Sequence, residues 1–302
     1  MIAKANRGVS IYVKKPSILI HNLVSKLHTT MAFYRTNLPI QELFSLVSVI
    51  FLLLPTNLNS VQALSFNFPK LTPGDSRITL QGDAEILASG VLALTKSSPL
   101  PPDTFNPTTG RALYTTPVTL WDNATGDVAS FVTSFSFVME TSGGPITDGL
   151  IFFIAPPDTV IPINSTTPFL GVVDSQTSIN RFVGVEFDLF RNSWDPEGRH
   201  IGIDINSIIS TKTVRLRWRW VNGLLTKVSI IYDSSSNTLS ALVTYESGRI
   251  STIAQVVDLK TVLPNIVQIG LSAATLTNQS YNIHSWSFTS NYITRTSRVS
   301  DI

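Results

Sequence analysis

Cysteine is absent from the 302 residues, and charged side chains make up only 14% of them. The first absence excludes thiol catalysis, cysteine-bound zinc, iron–sulfur clusters and disulfide staples. The second, set against 43% apolar residues, excludes a disordered chain and leaves enough material for the core of one large domain. Apolar runs of membrane-spanning length are missing too. Leu43–Leu54 is largely apolar over twelve residues, short of the roughly 20 that cross a bilayer. Amphipathic helices are equally scarce, and only Asp258–Pro264 reads as a helical turn.

The little charge present lies unevenly. Residues 1–63 hold six basic residues (Lys4, Arg7, Lys14, Lys15, Lys26, Arg35) and one acidic one, Glu42. That leaves 16 basic against 19 acidic residues in 64–302, so the formal +2 of the whole chain becomes −3 there. A nucleic-acid partner would find no basic footprint on such a domain. The Leu43–Leu54 run has the length of a signal-peptide core, and Val61-Gln62-Ala63 fits a small-residue cleavage site. The expected organisation is therefore an upstream extension plus secretory signal over 1–63, with the signal itself over 31–63 starting at Met31. A folded domain over 64–291 and a polar tail over 292–302 complete it. Residues 1–30 are expected to be an extension of the reading frame absent from the product, and peptide mapping that recovered them from the intact protein would refute that absence.

From Leu64 to Asn291 the pattern is strand after strand. In Ser130–Met139, Phe131, Phe135 and Phe137 alternate with Ser134 and Ser136, the period of a half-buried strand. Similar runs occur at Ser65–Phe68, Ile78–Leu80, Gly149–Ala155, Val183–Leu189, His200–Asn206, Val214–Trp220, Lys227–Tyr232, Thr238–Tyr245, Val267–Ala273 and Ile283–Thr289. Turn residues separate them, as in Asp122-Asn-Ala-Thr-Gly126. Many short strands without intervening helices predict an all-β sandwich. Three glycosylation sequons, at Asn123, Asn164 and Asn278, agree with a route through the secretory pathway.

The densest set of metal-ligand types lies between Val185 and Asp204. Glu186 and Asp188 are two apart on a strand, so their carboxylates share a face about 6.5–7 Å apart along the chain. A loop then supplies Asn192 and Asp195, and His200 opens the next strand. Like charges on one face destabilise a sheet unless a cation or water neutralises them. The set suits two ions. Oxygen-only coordination by Asp188, Asn192, Asp195 and a backbone carbonyl fits Ca²⁺, while Glu186, Asp188, Asp195 and His200 fit Mn²⁺ or a similar ion. A solvated acidic face with an ordinary histidine is the competing reading of the same residues.

Val185–Asp204 closely resembles the metal-binding segment of the legume lectins, of the concanavalin and pea-lectin type. Further blocks continue the resemblance in family order: Gly110-Arg-Ala-Leu-Tyr114, Trp121-Asp, Ser130–Phe137, Asp148-Gly-Leu-Ile-Phe-Phe-Ile-Ala-Pro156, Phe169-Leu-Gly171, Ile203-Asp-Ile-Asn-Ser207 and Ser285-Trp-Ser-Phe288. The resemblance implies a concanavalin-like β-sandwich, a flattened jelly roll. It also implies Ca²⁺ on Asp188, the Phe190 carbonyl, Asn192 and Asp195, and Mn²⁺ on Glu186, Asp188, Asp195 and His200, with Ser210 reaching the Mn²⁺ through water. Its sugar site maps onto Asp148, Asn192 and the Phe190 ring, with Thr277 and Asn278 in the specificity-setting stretch. The chemistry is apt: a carboxylate accepts hydroxyl protons, an amide donates, and an apolar sugar face covers the ring. The family's cis peptide before the Asp would fall at Thr147.

Two positions depart from the family pattern. Pro168 stands where a family glycine offers its N–H to the sugar, and proline has none to give. The loss is worth roughly 0.5–1.5 kcal/mol, about three- to tenfold in affinity. Leu276 replaces a loop glycine after Thr275. Sequons at Asn164 and Asn278 would place glycans beside the same pocket. The resulting expectation is a calcium- and manganese-dependent lectin that binds mono- or oligosaccharides and glycoproteins without catalysis. The alternative is a lectin-like defence or storage protein with weakened sugar binding. A glycosidase would need a further acidic residue where Phe190 and Arg191 stand. The resemblance also implies a homodimer or homotetramer, and an extracellular or vacuolar destination.

Overall fold

The structure is a computed structural model that describes residues 60–96, 105–141, 145–176, 180–216 and 222–293. The expected signal segment up to residue 59 and the tail from residue 294 lie outside the described residues. Among the described residues, sixteen strands and one helical turn follow one another: β1 (Ser60–Phe68), β2 (Ile78–Gly82), β3 (Glu85–Ile86), β4 (Leu92–Ala93), β5 (Thr108–Tyr114), β6 (Val118–Thr119), β7 (Ser130–Thr141), β8 (Gly149–Ala155), β9 (Val183–Asp188), β10 (His200–Ile205), β11 (Lys212–Arg215), β12 (Thr226–Asp233), β13 (Thr238–Tyr245), β14 (Ile250–Val256), α1 (Leu259–Val262), β15 (Ile266–Thr275) and β16 (Gln279–Ile293). Asp258 caps α1 by accepting from the Lys260 N–H.

The strands form two antiparallel sheets. The first runs β14-β13-β12-β7-β16-β4-β3, with β1 also paired to β16. The second runs β11-β10-β9-β8-β15-β5-β2, with β6 paired to β15. Phe135 and Phe137 of β7 meet Phe187 of β9 at ring-centroid distances of 6.0 and 5.8 Å, so the sheets pack face to face. Leu150, Phe152, Val185, Ile201, Ile203, Val228, Ile230 and Trp286 complete that core. Trp286 keeps its indole N–H satisfied there by donating to Thr133 Oγ1 at 3.1 Å.

The outer faces differ. Hydroxyl pairs cross the outside of the first sheet, Ser134 with Ser229 and Ser136 with Ser285. The second sheet has a further apolar layer outside it, where Leu113, Ile151, Phe153 and Ala155 pack against Leu170, Val172, Val173, Phe182 and Ile208. β5 is buried at every position, as are β8 and β9; those two are legible as strands from their apolar residues, whereas Thr108, Thr109, Gly110 and Arg111 give β5 neither an apolar run nor alternation. The strand expected at Val214–Trp220 starts earlier, at Lys212, and its residues beyond 216 lie outside the described set.

Candidate functional site

The site grows from alternation on two neighbouring strands. Val183, Val185 and Phe187 of β9 belong to the central core, which sends Gly184, Glu186 and Asp188 to the opposite face. On β10, Ile201 and Ile203 go inward, and His200, Gly202 and Asp204 join the carboxylates. The register sets His200 across from Asp188 and Gly202 across from Glu186. Glycine is required at 202, because a Cβ there would fall on the Ser210 hydroxyl and the Glu186 carboxylate.

Glu186, Asp188 and His200 are all buried, and each offers a ligand atom within 4.8 Å of the others. His200 Nε2 lies 3.0 Å from Glu186 Oε1. The loop after β9 folds back over this group. Phe190 N–H donates to Asp188 Oδ1 at 2.7 Å, and Asn192 N–H donates to Asp195 Oδ2 at 2.6 Å. Arg199 Nε donates to the Leu189 carbonyl at 3.2 Å and fixes the loop's return.

The electrostatics are those of buried carboxylates crowded together. Burial, then the charges of Glu186 and Asp195, push the Asp188 carboxyl up to about 10. Burial, then Asp195, push Asp148 up to about 7. Burial raises Asp195 as well, against the opposing Asn192 N–H. For His200, burial lowers the pKa, but the Glu186 contact and the neighbouring carboxylate charges outweigh it and leave it raised. The donor set fits a divalent cation: buried carboxylates and an imidazole converge within 4.8 Å, where a positive charge would offset their crowding.

Asp204 was not singled out by the sequence reading. It is fully buried, raised well above the ordinary carboxyl range by burial and then by Glu186. Ser210 Oγ lies 2.5 Å from Glu186 Oε1 and 2.6 Å from Asp204 Oδ1. One hydroxyl proton serves only one of these oxygens at a time, so Ser210 ties the two carboxyl groups into one network. The period-2 series His200, Gly202, Asp204 was the signal that could have found it.

Asp148 sits beside this group. Its carbonyl accepts from Leu189 N–H at 2.8 Å. Its side chain is 4% exposed in a residue whose Oδ2 has no partner within the chain. Phe190 is 36% exposed and Asn192 is half-buried in the loop that follows β9. The peptide bond before Asp148 is trans, not cis as the resemblance implied; the cis bond among the described residues is Thr167–Pro168. Trans is favoured at non-proline residues by about 3–4 kcal/mol. The preceding Thr147 is held by Thr275 Oγ1 at 3.0 Å and by the Gln279 side chain at 3.2 Å.

Thr277 and Asn278 are not at the rim. Both are buried, and the Thr277 hydroxyl donates to the Pro145 carbonyl at 3.0 Å, locking the loop from within. Asn278 is 1% exposed, so a glycan there has no path to solvent in this fold, and its sequon is corrected to an internal asparagine. Asn123 and Asn164 are exposed. Asn123 tops a turn in which Asp122 Oδ1 accepts from the N–H groups of Ala124 and Thr125.

Two eight-stranded antiparallel sheets with one helical turn among the described residues define a concanavalin-like β-sandwich. The legume lectin domain family model matches residues 63–301. The chain therefore belongs to the legume lectins, carbohydrate-binding proteins without catalysis. It is 74% identical over 272 residues to the nodule lectin of Pisum sativum, covering 90% of this chain and all of that one. The non-seed lectin of the same plant is 65% identical, over 89% of this chain and 98% of its own. Among solved structures, a Lotus tetragonolobus seed lectin superposes with a TM-score of 0.70 at 47% identity, over 77% of this chain and 100% of that one. No helix of the described residues is long and apolar enough to cross a membrane.

Proposed function

We propose that the chain is a calcium- and manganese-dependent lectin that binds one sugar ring per domain between Asp148, Phe190 and Asn192. The observation that supports this reading is the Asp148 carboxylate, nearly buried, unpartnered at Oδ2 and tied through its backbone carbonyl to Leu189, the residue before the exposed Phe190. Mn²⁺ would be held by Glu186, Asp188, Asp195 and His200, and Ca²⁺ by Asp188, the Phe190 carbonyl, Asn192 and Asp195. The ions would supply positive charge that keeps these carboxylates ionised and the loop over them ordered. Asp148 accepts sugar hydroxyl protons, the Asn192 amide donates, and Phe190 covers the apolar face. Synthesis through the secretory pathway, with glycans on Asn123 and Asn164, belongs to the same reading.

Calorimetry against a panel of mono- and oligosaccharides tests it. Binding is expected from protein loaded with both ions, to vanish with a chelator and to return when Ca²⁺ and Mn²⁺ are restored. Loaded protein that bound nothing at millimolar sugar would favour a second reading, a storage or defence protein with weakened binding. That reading rests on Pro168, which has no N–H to offer, and on the Thr277 hydroxyl being consumed inside the loop.

A further inference from the structure

A second polar cluster lies on the outer face of the same sheet. Arg111 of β5 pairs with Gln81 of β2 on one side and Ser272 of β15 on the other, so the three stand in one register row. Arg111 is completely buried. No carboxylate pairs with it among the ion pairs of the described residues. Its plane lies 4.4 Å over the Phe153 ring.

What the row meets is the loop between β8 and β9. Arg111 Nη2 donates to Thr159 Oγ1 at 2.9 Å, and Gln81 Nε2 donates to the Thr159 carbonyl at 3.0 Å. Farther along, Arg111 Nη1 donates to the Gly171 carbonyl at 3.4 Å and Ser272 Oγ to the Leu170 carbonyl at 2.5 Å. Leu170 and Gly171 have φ of 50° and 71°. A leucine rarely adopts that left-handed backbone, and it persists only where the surroundings over-determine it. Here the turn presents two successive carbonyls to the sheet, and the row answers both. Between the two grips lie Pro168 and Phe169. The Phe169 ring lies parallel to Trp194, within 1°, at 6.2 Å. Trp194 sits between Asn192 and Asp195 in the loop over the acidic group.

We propose that Gln81, Arg111 and Ser272 are positioning residues for the sugar pocket. They hold the 157–171 loop against the sheet, and through Phe169 on Trp194 they set the loop that carries Asn192 and Asp195. This inference rests on the sugar-site reading above. A buried guanidinium without a carboxylate is costly to keep in a merely structural role. Spanning both ends of a loop with one planar fork is a task that suits arginine rather than lysine.

The test compares the full chain, loaded with Ca²⁺ and Mn²⁺, with Arg111→Met, Arg111→Lys and Ser272→Ala. Two readouts are taken together. One is hydrogen exchange at the amides of Phe169 and Val172, which bond to the Thr166 and Phe169 carbonyls. The other is affinity for a panel of methyl hexosides by calorimetry. Arg111→Met is expected to speed exchange at these amides and weaken sugar binding by about tenfold, a single charge-assisted hydrogen bond's worth. Exchange in β7 and β12 stays unchanged. Arg111→Lys falls between, and Ser272→Ala costs about threefold. Faster loop exchange with unaltered sugar affinity overturns the proposal, and so does unaltered loop exchange. If the parent bound no sugar, the sugar-site reading would fail and the link to the pocket with it, while exchange would still report whether the row grips the loop. Should Arg111→Met not fold, Ser272→Ala and Gln81→Ala carry the same comparison.

Discussion

Two buried groups of opposite sign share the outer face of one sheet. At β9 and β10, Glu186, Asp188 and Asp204 crowd together beside His200. At β2, β5 and β15, one guanidinium stands among carbonyl and hydroxyl oxygens. The first group offers ligand atoms from three buried side chains to one point, and on the proposed reading ions from solution would complete it. The second is satisfied largely by the chain itself. A sheet buried on both faces can thus keep charge in two ways, by waiting for a ligand or by gripping a loop. The first way makes a binding site, and the second makes the surroundings of one.

The largest expected effect comes from breaking the first group at the carboxylate both ion sets would share. Asp188→Ala is expected to lower ion affinity and sugar affinity by more than about 100-fold, beyond the range of outer-shell changes. Ion content and calorimetry measure it. In the chelated protein the same substitution acts in the opposite direction and raises the urea midpoint at pH 8, because it removes a crowded buried carboxyl.

The pH dependence of the metal-free protein follows the same logic. Asp148 and Asp188 have folded pKa values of about 7 and about 10, above the unfolded value near 3.9. Between those limits the folded state binds more protons than the unfolded one, so stability falls as pH rises. His200, also raised, contributes stability that is lost in the same direction. Urea titrations of chelated protein at pH 5, 7 and 9 are expected to show a steady decline, and loading with Ca²⁺ and Mn²⁺ to flatten it. A decline that survived loading would argue against ions displacing those protons.

Smaller effects sharpen the contrast. Gly202→Ala puts a methyl group onto Ser210 and Glu186 and is expected to cost about 1–3 kcal/mol of stability by overpacking, read from urea midpoints. Least of all, Pro168→Gly restores an N–H at the loop gripped by the arginine. Sugar affinity is expected to rise about threefold or slightly more; affinity equal to the parent's would show that the missing donor does not limit binding.

The sandwich was legible where one face meets solvent. Phe131, Phe135 and Phe137 against Ser134 and Ser136 give β7 its place directly, and Thr238–Tyr245 matches β13 residue for residue. Legibility failed along β5, where Thr108, Thr109, Gly110 and Arg111 interrupt the apolar run that makes the equally buried β8 readable, and along β14, an edge strand whose apolar residues do not alternate. In the site, Glu186, Asp188 and His200 come together as their spacing suggested, since that spacing is strand geometry. The error at Thr277 and Asn278 has a different origin. Whether a loop side chain turns outward depends on partners far away in sequence, here Thr147 and Pro145, and no local pattern encodes that.

The separation of partners along the chain also orders their assembly. Glu186 and His200 are 14 residues apart, so their hairpin closes a short loop. Thr147 and Thr275, which seat Asp148, are 128 residues apart and meet only when β15 docks. Contacts so distant form late in folding. A refolding chain is therefore expected to acquire its ion-binding hairpin before its sugar pocket, with metal available to select the hairpin while most of the sandwich is still being built.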